Sequence, residues 1–293
     1  MERIEILKTY KIYIGGKFPR TESGRYYTPK NKAGEQLANM CLSSRKDLRN
    51  AVVAARKAFG GWAERPAFNR GQIIYRIAEM LEGRRAQFIE ELMKQGSSKQ
   101  QAEKEVNLSI DRIVYYAGWC DKYQQIFSTV NPVASSHFNF SALEPMGVVG
   151  VVAPQDSSLI GLVSAILPAI IGGNTVVVLA SEQLPLCAIT LAEVLQTSDV
   201  PGGIINILTG NEKELLDHFG SHMDINAVLY AGDSKENHNK LKTLCTGNLK
   251  RIRKFDQNAM DAEAQSPYLI QDFQEVKTTW HPIENIGGST STY

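Results

Sequence analysis

In the stretch EPMGVVGVVAPQDSSL, small and β-branched apolar residues run from Val148 to Val152, pass through Ala153-Pro154 and open into the polar turn Gln155-Asp156. A buried parallel strand that delivers a loop to a ligand has this pattern. Three more apolar runs end in turns of the same kind: Ala180-Ser181-Glu182, Thr209-Gly210 and Ala231-Gly232-Asp233-Ser234. Ligands of parallel sheets bind beyond the carboxyl ends of the strands, so each turn is a candidate site. The simplest role for Asp156 is to cap a helix starting near Ser158. Cysteine is the other reactive residue type. Cys41, Cys120, Cys187 and Cys245 are far apart, with neither CxxC spacing nor a His partner at zinc-ligand spacing, so no metal site is expected. Cys245, in KLKTLCTGNL, has Lys240 and Lys242 nearby to favour a thiolate. A small buried hydrophobe is nevertheless the commoner role for such a cysteine.

The elements that would position these turns are legible in the hydrophobic period. From Gly147 the pattern alternates: strand Gly147 to Ala153, helix Ser158 to Ile171, strand Thr175 to Leu179, helix Pro185 to Thr197, strand Ile204 to Leu208, helix Glu212 to Phe219, strand Ala227 to Tyr230. Such alternation implies right-handed crossovers and a doubly wound parallel sheet of α/β class. Before it, YKIYIGGKF predicts a hairpin around Gly15-Gly16 at a sheet edge. Leu48, Val52, Ala55 and Phe59 mark a helix that Gly60-Gly61 should stop. A second helix is expected from about Asn69 to Gln95, ended by Gly96, and a third beginning after Ser97-Ser98 and reaching about Phe127. Tyr115, Tyr116 and Trp119 on the third helix read as packing residues. Phe127 to Leu143 reads as extended.

Composition narrows the partners. With 293 residues, 43% of them hydrophobic, the chain can bury a proper core. Its 32 Lys and Arg against 31 Asp and Glu give a net charge of +1, which implies neither nucleic acid nor an anionic membrane as partner. No apolar run matches a leader or a membrane span, so a cytoplasmic location is expected.

Several ordered motifs, YYAGWCDKY, EPMGVVGVVAPQDSSL, LPAIIGGNTVVVLASEQLPL, DVPGGIINILTG and DINAVLYAGDS, resemble those of the aldehyde dehydrogenase superfamily. The resemblance implies a Rossmann-like dinucleotide-binding domain, with NAD or NADP held by Val152, Ala153, Pro154, Ser181, Glu182, Gly210, Gly232 and Asp233. It also marks departures. Where the family reads Pro-Trp-Asn, with the Asn amide donating to the oxyanion, this chain reads Pro154-Gln155-Asp156; an ionised carboxylate cannot donate and repels the charge that develops there. Where the family has a lysine beside the adenine ribose, Leu179 has no charge to offer, although Glu182 can still accept a ribose hydroxyl. Where the family has Thr-Gly-Ser by the pyrophosphate, Asp233 is a good helix cap and a poor neighbour for phosphate.

The family's base and nucleophile motifs are not found, and the residues after Asp233 are too few for a catalytic domain of about 100 residues or more. Cys245 falls too soon after the cofactor turn to be the family nucleophile, so no catalytic residue is assigned. In the family, a hairpin before the EP.GVVG strand joins a strand near the C-terminus in a small oligomerisation sheet; by position, 127–143 and Val276 to His281 resemble these pieces. The expected division is a dinucleotide-binding fold over 1–264 and an oligomerisation strand with tail over 265–293. The basic run Lys250, Arg251, Arg253, Lys254 reads as a solvated face.

The arrangement is similar to the inactive half of the tandem family-sixteen aldehyde dehydrogenases. It leads to the expectation of a non-catalytic subunit with NAD(P) bound weakly or not at all, working as a homodimer or with a catalytic aldehyde dehydrogenase unit. Two alternatives stay open: an enzyme module whose catalytic Cys comes from another domain or chain, and an NAD(P)-binding sensor.

Overall fold

The computed structural model describes residues 6–31 and 33–283. Five parallel strands form its central sheet: β6 (Val148–Val152), β7 (Thr175–Leu179), β8 (Ile205–Leu208), β9 (Ala227–Tyr230) and β10 (Arg251–Lys254), in the order β10-β9-β6-β7-β8. Five strands precede them: the short β1 (Thr9–Tyr10), β2 (Tyr26–Tyr27), β3 (Asn39–Cys41) and β4 (Thr129–Asn131), and the nine-residue β5 (His137–Pro145). Side chains alternate across the central sheet. Val149, Val151, Val176 and Val178 face one apolar cluster, whereas Val148, Val152, Val177 and Leu179 face another. Burial on both faces is why these strands read as unbroken apolar runs. Gly150 is required by close packing, since a Cβ there would lie 2.8 Å from the Phe219 ring.

Helices α6 (Ile160–Ile171) and α7 (Leu186–Gln196) lead from β6 to β7 to β8, and α8 (Glu212–Ser221) carries the chain back across β6 to β9. The winding therefore reverses between β6 and β9, whose carboxyl ends flank a crevice. α9 (Lys235–Cys245) then leads to β10. Among the described residues no helix is long and apolar enough to cross a membrane.

The N-terminal half differs from the sequence pattern in three places. α1 (Arg45–Ala63) runs through Gly60-Gly61 instead of stopping there. Its last turn is held by Trp62, fully buried, whose indole donates to the Ile170 carbonyl at 2.7 Å. The expected 69–95 helix is two, α2 (Ala67–Gly83) and α3 (Arg85–Lys94). Gly83 is the weak point, and Arg84 at the break pairs with Glu193 of α7 at 3.0 Å. The third helix ends early, as α4 (Lys99–Trp119) followed by a short α5 (Tyr123–Phe127). Gly15 and Gly16, at φ of 62° and 79°, form the predicted turn, and Tyr13 pairs with Ile207 at the β8 edge.

The basic run is corrected in part. Arg251, Arg253 and Lys254 lie in β10, and Arg253 and Lys254 are exposed as a solvated face requires, with Arg253 paired to Asp272 at 2.8 Å. Lys250, just before the strand, is buried and donates to the His222 carbonyl at 2.7 Å, and the half-buried Arg251 donates to the Gln274 carbonyl at 2.6 Å. An edge strand beside β9 gives each long side chain a nearby carbonyl or carboxylate, which sequence order does not display. After the short helix α10 (Tyr268–Gln271), β11 (Gln274–Pro282) pairs antiparallel with β5 along its full length, making a sheet β11-β5-β4 apart from the central one.

Candidate functional site

At the crevice between β6 and β9 lies a cavity of about 380 Å³. Pro154, Asp156, Gly232 and Asp233 line it from the two strand ends, Glu105 from α4, and Lys254 and Asp256 from the end of β10. Four carboxylates therefore face one ammonium, and Lys254 is already paired with Asp256. An anion entering here meets a lining whose charged groups are predominantly negative.

Of the helix starts that could offset this charge, that of α6 is engaged and that of α9 is engaged at the Asn237 amide. Asp156 is exposed and does not cap α6; Glu105 does so from a distant part of the chain. Its Oε1 accepts the amides of Leu159 at 2.9 Å and Ile160 at 3.1 Å, while the Ser157 hydroxyl accepts the Gly161 amide at 2.8 Å. Capping by a carboxylate satisfies the orphan donors and the helix dipole together. At α9 the cap is Ser234, accepting the Asn237 amide at 3.2 Å, so Asp233 is left exposed at the mouth of the cavity. Both corrections have one cause: the residue able to reach the free N–H groups is decided by the exit angle of the strand, not by which acid is nearest in sequence.

A second cavity, of about 650 Å³, opens beside the ends of β7 and β8. Glu182 lines it and accepts from the Asn211 amide at 3.0 Å. Gln155 separates the two cavities: its Oε1 accepts the Glu182 N–H at 2.9 Å and its amide donates to the Ala153 carbonyl at 3.2 Å. Glu212 completes the floor, accepting from the Tyr230 hydroxyl at 2.9 Å and from Asn237 at 2.7 Å. Burial and the neighbouring Glu212 push the Tyr230 phenol up to about 12, so it keeps its proton.

The sequence candidates therefore divide. Pro154, Asp156, Gly232 and Asp233 share the first cavity and Glu182 sits in the second. Val152 and Ala153 are buried and present only backbone, and Ala153 N–H is spent on the Leu179 carbonyl at 2.9 Å. Ser181 is a turn residue, donating to the Gln155 carbonyl and accepting the Leu184 amide. Gly210 packs on Ser43, whose amide nitrogen would lie 3.1 Å from an added Cβ. Cys245 is buried at the far end of α9, about 16 Å along the axis from Ser234, and burial raises its thiol. Glu105, Asp256 and Glu212 escaped the sequence reading. Glu105 adjoins the inward Val106 in α4, the one hint that it points toward the fold.

Residues 19–272 match the sequence profile of the aldehyde dehydrogenase family, and the chain belongs to that family. It is 32% identical over 270 residues to retinal dehydrogenase 2 of Gallus gallus, covering 90% of this chain and 50% of the relative. To the cytosolic 10-formyltetrahydrofolate dehydrogenase of Mus musculus it is 28% identical over 276 residues, covering 92% of this chain and 30% of the relative. The fold superposes on the aldehyde dehydrogenase of Bacillus cereus, solved as an NAD+ complex, with a TM-score of 0.80 at 27% identity, over 84% of this chain and 50% of that one. The chain thus spans about half the length of that structure and of the retinal dehydrogenase.

Proposed function

We propose that this chain is a non-catalytic aldehyde dehydrogenase-like protein, located in the cytoplasm, that acts as a structural or regulatory subunit, either as a homodimer or paired with a catalytic aldehyde dehydrogenase unit. One observation carries the reading: the cavity at the strand switch point is walled by Glu105, Asp156, Asp233 and Asp256, with Lys254 neutralised by Asp256. These residues do not fit a pyrophosphate, which needs open backbone donors or cations, nor an oxyanion, which needs a donor where Asp156 stands. The thiol that lies downstream, Cys245, is buried and protonated.

The test is turnover. Purified chain is incubated with NAD or NADP and a simple aldehyde, and no reduced nucleotide is expected. Sustained reduction that disappears in Cys245→Ala overturns the proposal; reduction that appears only when a second aldehyde dehydrogenase chain is added favours a catalytic Cys supplied in trans. Light scattering of the full chain against a deletion after Gln274 tests the subunit role, and a mass or pairing that the deletion leaves unchanged counts against it.

A second reading rests on the other cavity. Its 650 Å³ beside Glu182 is room for a nucleoside, which fits an NAD(P)-sensing module. Calorimetric titration separates the two: micromolar NAD binding supports the sensor, and no heat supports the subunit.

A further inference from the structure

We propose that the outer edge of β11 pairs antiparallel with β11 of a second copy of this chain, about a two-fold axis at Thr278. This rests on the subunit reading above and specifies its contact. Among the described residues β11 is an edge strand of nine residues, with only its β5 side occupied. An edge of that length is a template for another strand unless something guards it.

The backbone phase fixes which groups are free. Ile283 N–H donates to the Ser136 carbonyl at 3.0 Å, so the odd-numbered residues of β11 bond inward to β5. Pro145 and Pro282 both fall in the even-numbered pairs of the register, Gln274 with Pro145 and Pro282 with His137, where no N–H is asked of them between the strands. It follows that the even-numbered residues face the open edge: Val276, Thr278 and Trp280 offer both N–H and C=O there, whereas Pro282 has no N–H to offer. A two-fold axis at Thr278 lets all nine residues overlap, with Val276, Thr278 and Trp280 making the full hydrogen-bonded pairs and Pro282 falling at the end of the ladder opposite Gln274 of the copy.

The side chains agree with that axis. It sets Val276 opposite Trp280 of the copy, an aromatic and β-branched pair, and Glu275 opposite His281, with no like charges facing. Val276 and Trp280 are 64% and 57% exposed without it, and Trp280 is already held edge-on to His137 at 5.8 Å. Moving the axis by one residue, to Lys277, would oppose two ammonium groups and present inward-bonded residues. Lys277 is no guard on this edge, because it lies on the other face of the strand bonded to Glu144 at 3.0 Å.

Cross-linking and light scattering test the proposal on the full chain. Facing Thr278 residues would place their Cα atoms about 5.5 Å apart, within disulfide reach, and the four native cysteines are buried. Oxidised Thr278→Cys is expected to run as a covalent dimer, whereas Glu275→Cys, about 20 Å from its own copy, is not. Thr278→Pro removes an outward N–H without touching the β5 ladder, so its mass should halve while its thermal melt holds. Thr278→Val keeps that N–H and should remain a dimer. A dimer that survives Thr278→Pro and leaves Thr278→Cys uncrosslinked overturns the edge while sparing the subunit reading. A chain that pairs only with a catalytic unit overturns the self-pairing. A chain monomeric at every concentration, alone and mixed, overturns both.

Discussion

Glu105 Oε1 lies 2.9 Å from the amide of Leu159, so that a carboxylate on α4 closes the first turn of α6, more than fifty residues further along the chain. The same oxygen accepts from Ile160, and it is one wall of the acidic cavity. Replacing it with alanine removes the cap and leaves two N–H groups unpaired next to the core. Glu105→Ala is expected to lower stability by about 1–2 kcal/mol, and Glu105→Gln by less, because the amide oxygen still accepts. Urea denaturation of the two variants measures this; equal losses would show that packing of the side chain, not capping, sets its value.

Asp233 tests the electrostatics of the cavity. It is exposed beside the start of α9, where Ser234 already supplies the cap, so Asp233→Ser should leave stability nearly unchanged. Removing one carboxylate from a pyrophosphate's path is worth about 1 kcal/mol at most, and NAD binding by calorimetry should strengthen by about fivefold or less. The companion reversion suggested by the family pattern, Leu179→Lys, is not a usable partner. Leu179 is 1% exposed in β7, paired with Val152, and a lysine there must bury its ammonium. Loss of the folded state is the expected result, visible as a collapsed thermal melt.

Four of the five central strands were readable from the sequence because each is buried on both faces, and burial writes itself into composition; the edge strand β10, basic and partly exposed, was not. Thr175–Leu179 and Ala227–Tyr230 fall where the apolar runs place them. Helix ends were harder. Gly60-Gly61 signals a stop, yet the Trp62 bond to Ile170, made across the fold, carries α1 past it. The strand-end turns were found for the same reason as the strands, but their roles were not: Asp156 and Asp233 look like caps in sequence, and Glu105 and Ser234 do the capping. Which polar atom reaches a free N–H depends on three-dimensional approach, and a linear pattern carries no record of that. The tie of Arg251 was missed likewise, since its acceptor Gln274 arrives only with β11, more than twenty residues later.

A pH dependence should originate at Glu91, which belongs to α3 and is 5% exposed. Its Oε1 accepts the Tyr10 hydroxyl at 2.8 Å and the Thr190 hydroxyl at 2.7 Å, whereas its Oε2 is buried with no partner among the described residues. Burial raises the carboxyl above its ordinary value, the two hydroxyl donors opposing in part. The folded state then holds this proton more tightly than the unfolded state. The associated stability is fully present below the ordinary glutamate range and is lost as pH rises through the raised folded value. Denaturation midpoints followed upward from pH ~4 should show this fall, and Glu91→Gln should flatten it. A fall of the same size in Glu91→Gln would assign it to other groups.

Arg112 is a buried guanidinium on α4 that pairs with no carboxylate among the described residues. Its NH1 donates to the Ser164 hydroxyl at 2.5 Å and the Ala259 carbonyl at 2.7 Å, and its NH2 to the Asp261 carbonyl at 3.0 Å. Desolvation lowers its pKa, yet three acceptors hold it in place. Those carbonyls belong to the segment after β10 that walls the acidic cavity, so Arg112 ties the wall to α4 and α6. Arg112→Met keeps most of the volume and removes all three bonds, leaving the acceptors of Ala259 and Asp261 to find water. The expected cost is about 1–3 kcal/mol. Hydrogen exchange locates it: the Asp261 and Ala264 amides, bonded to the Asn258 and Asp261 carbonyls, should lose protection while those of β6 and β7 keep theirs. Uniform loss across the sheet would mean that Arg112 supports the whole core, and unchanged exchange at Asp261 would mean that the segment is held by its own turns.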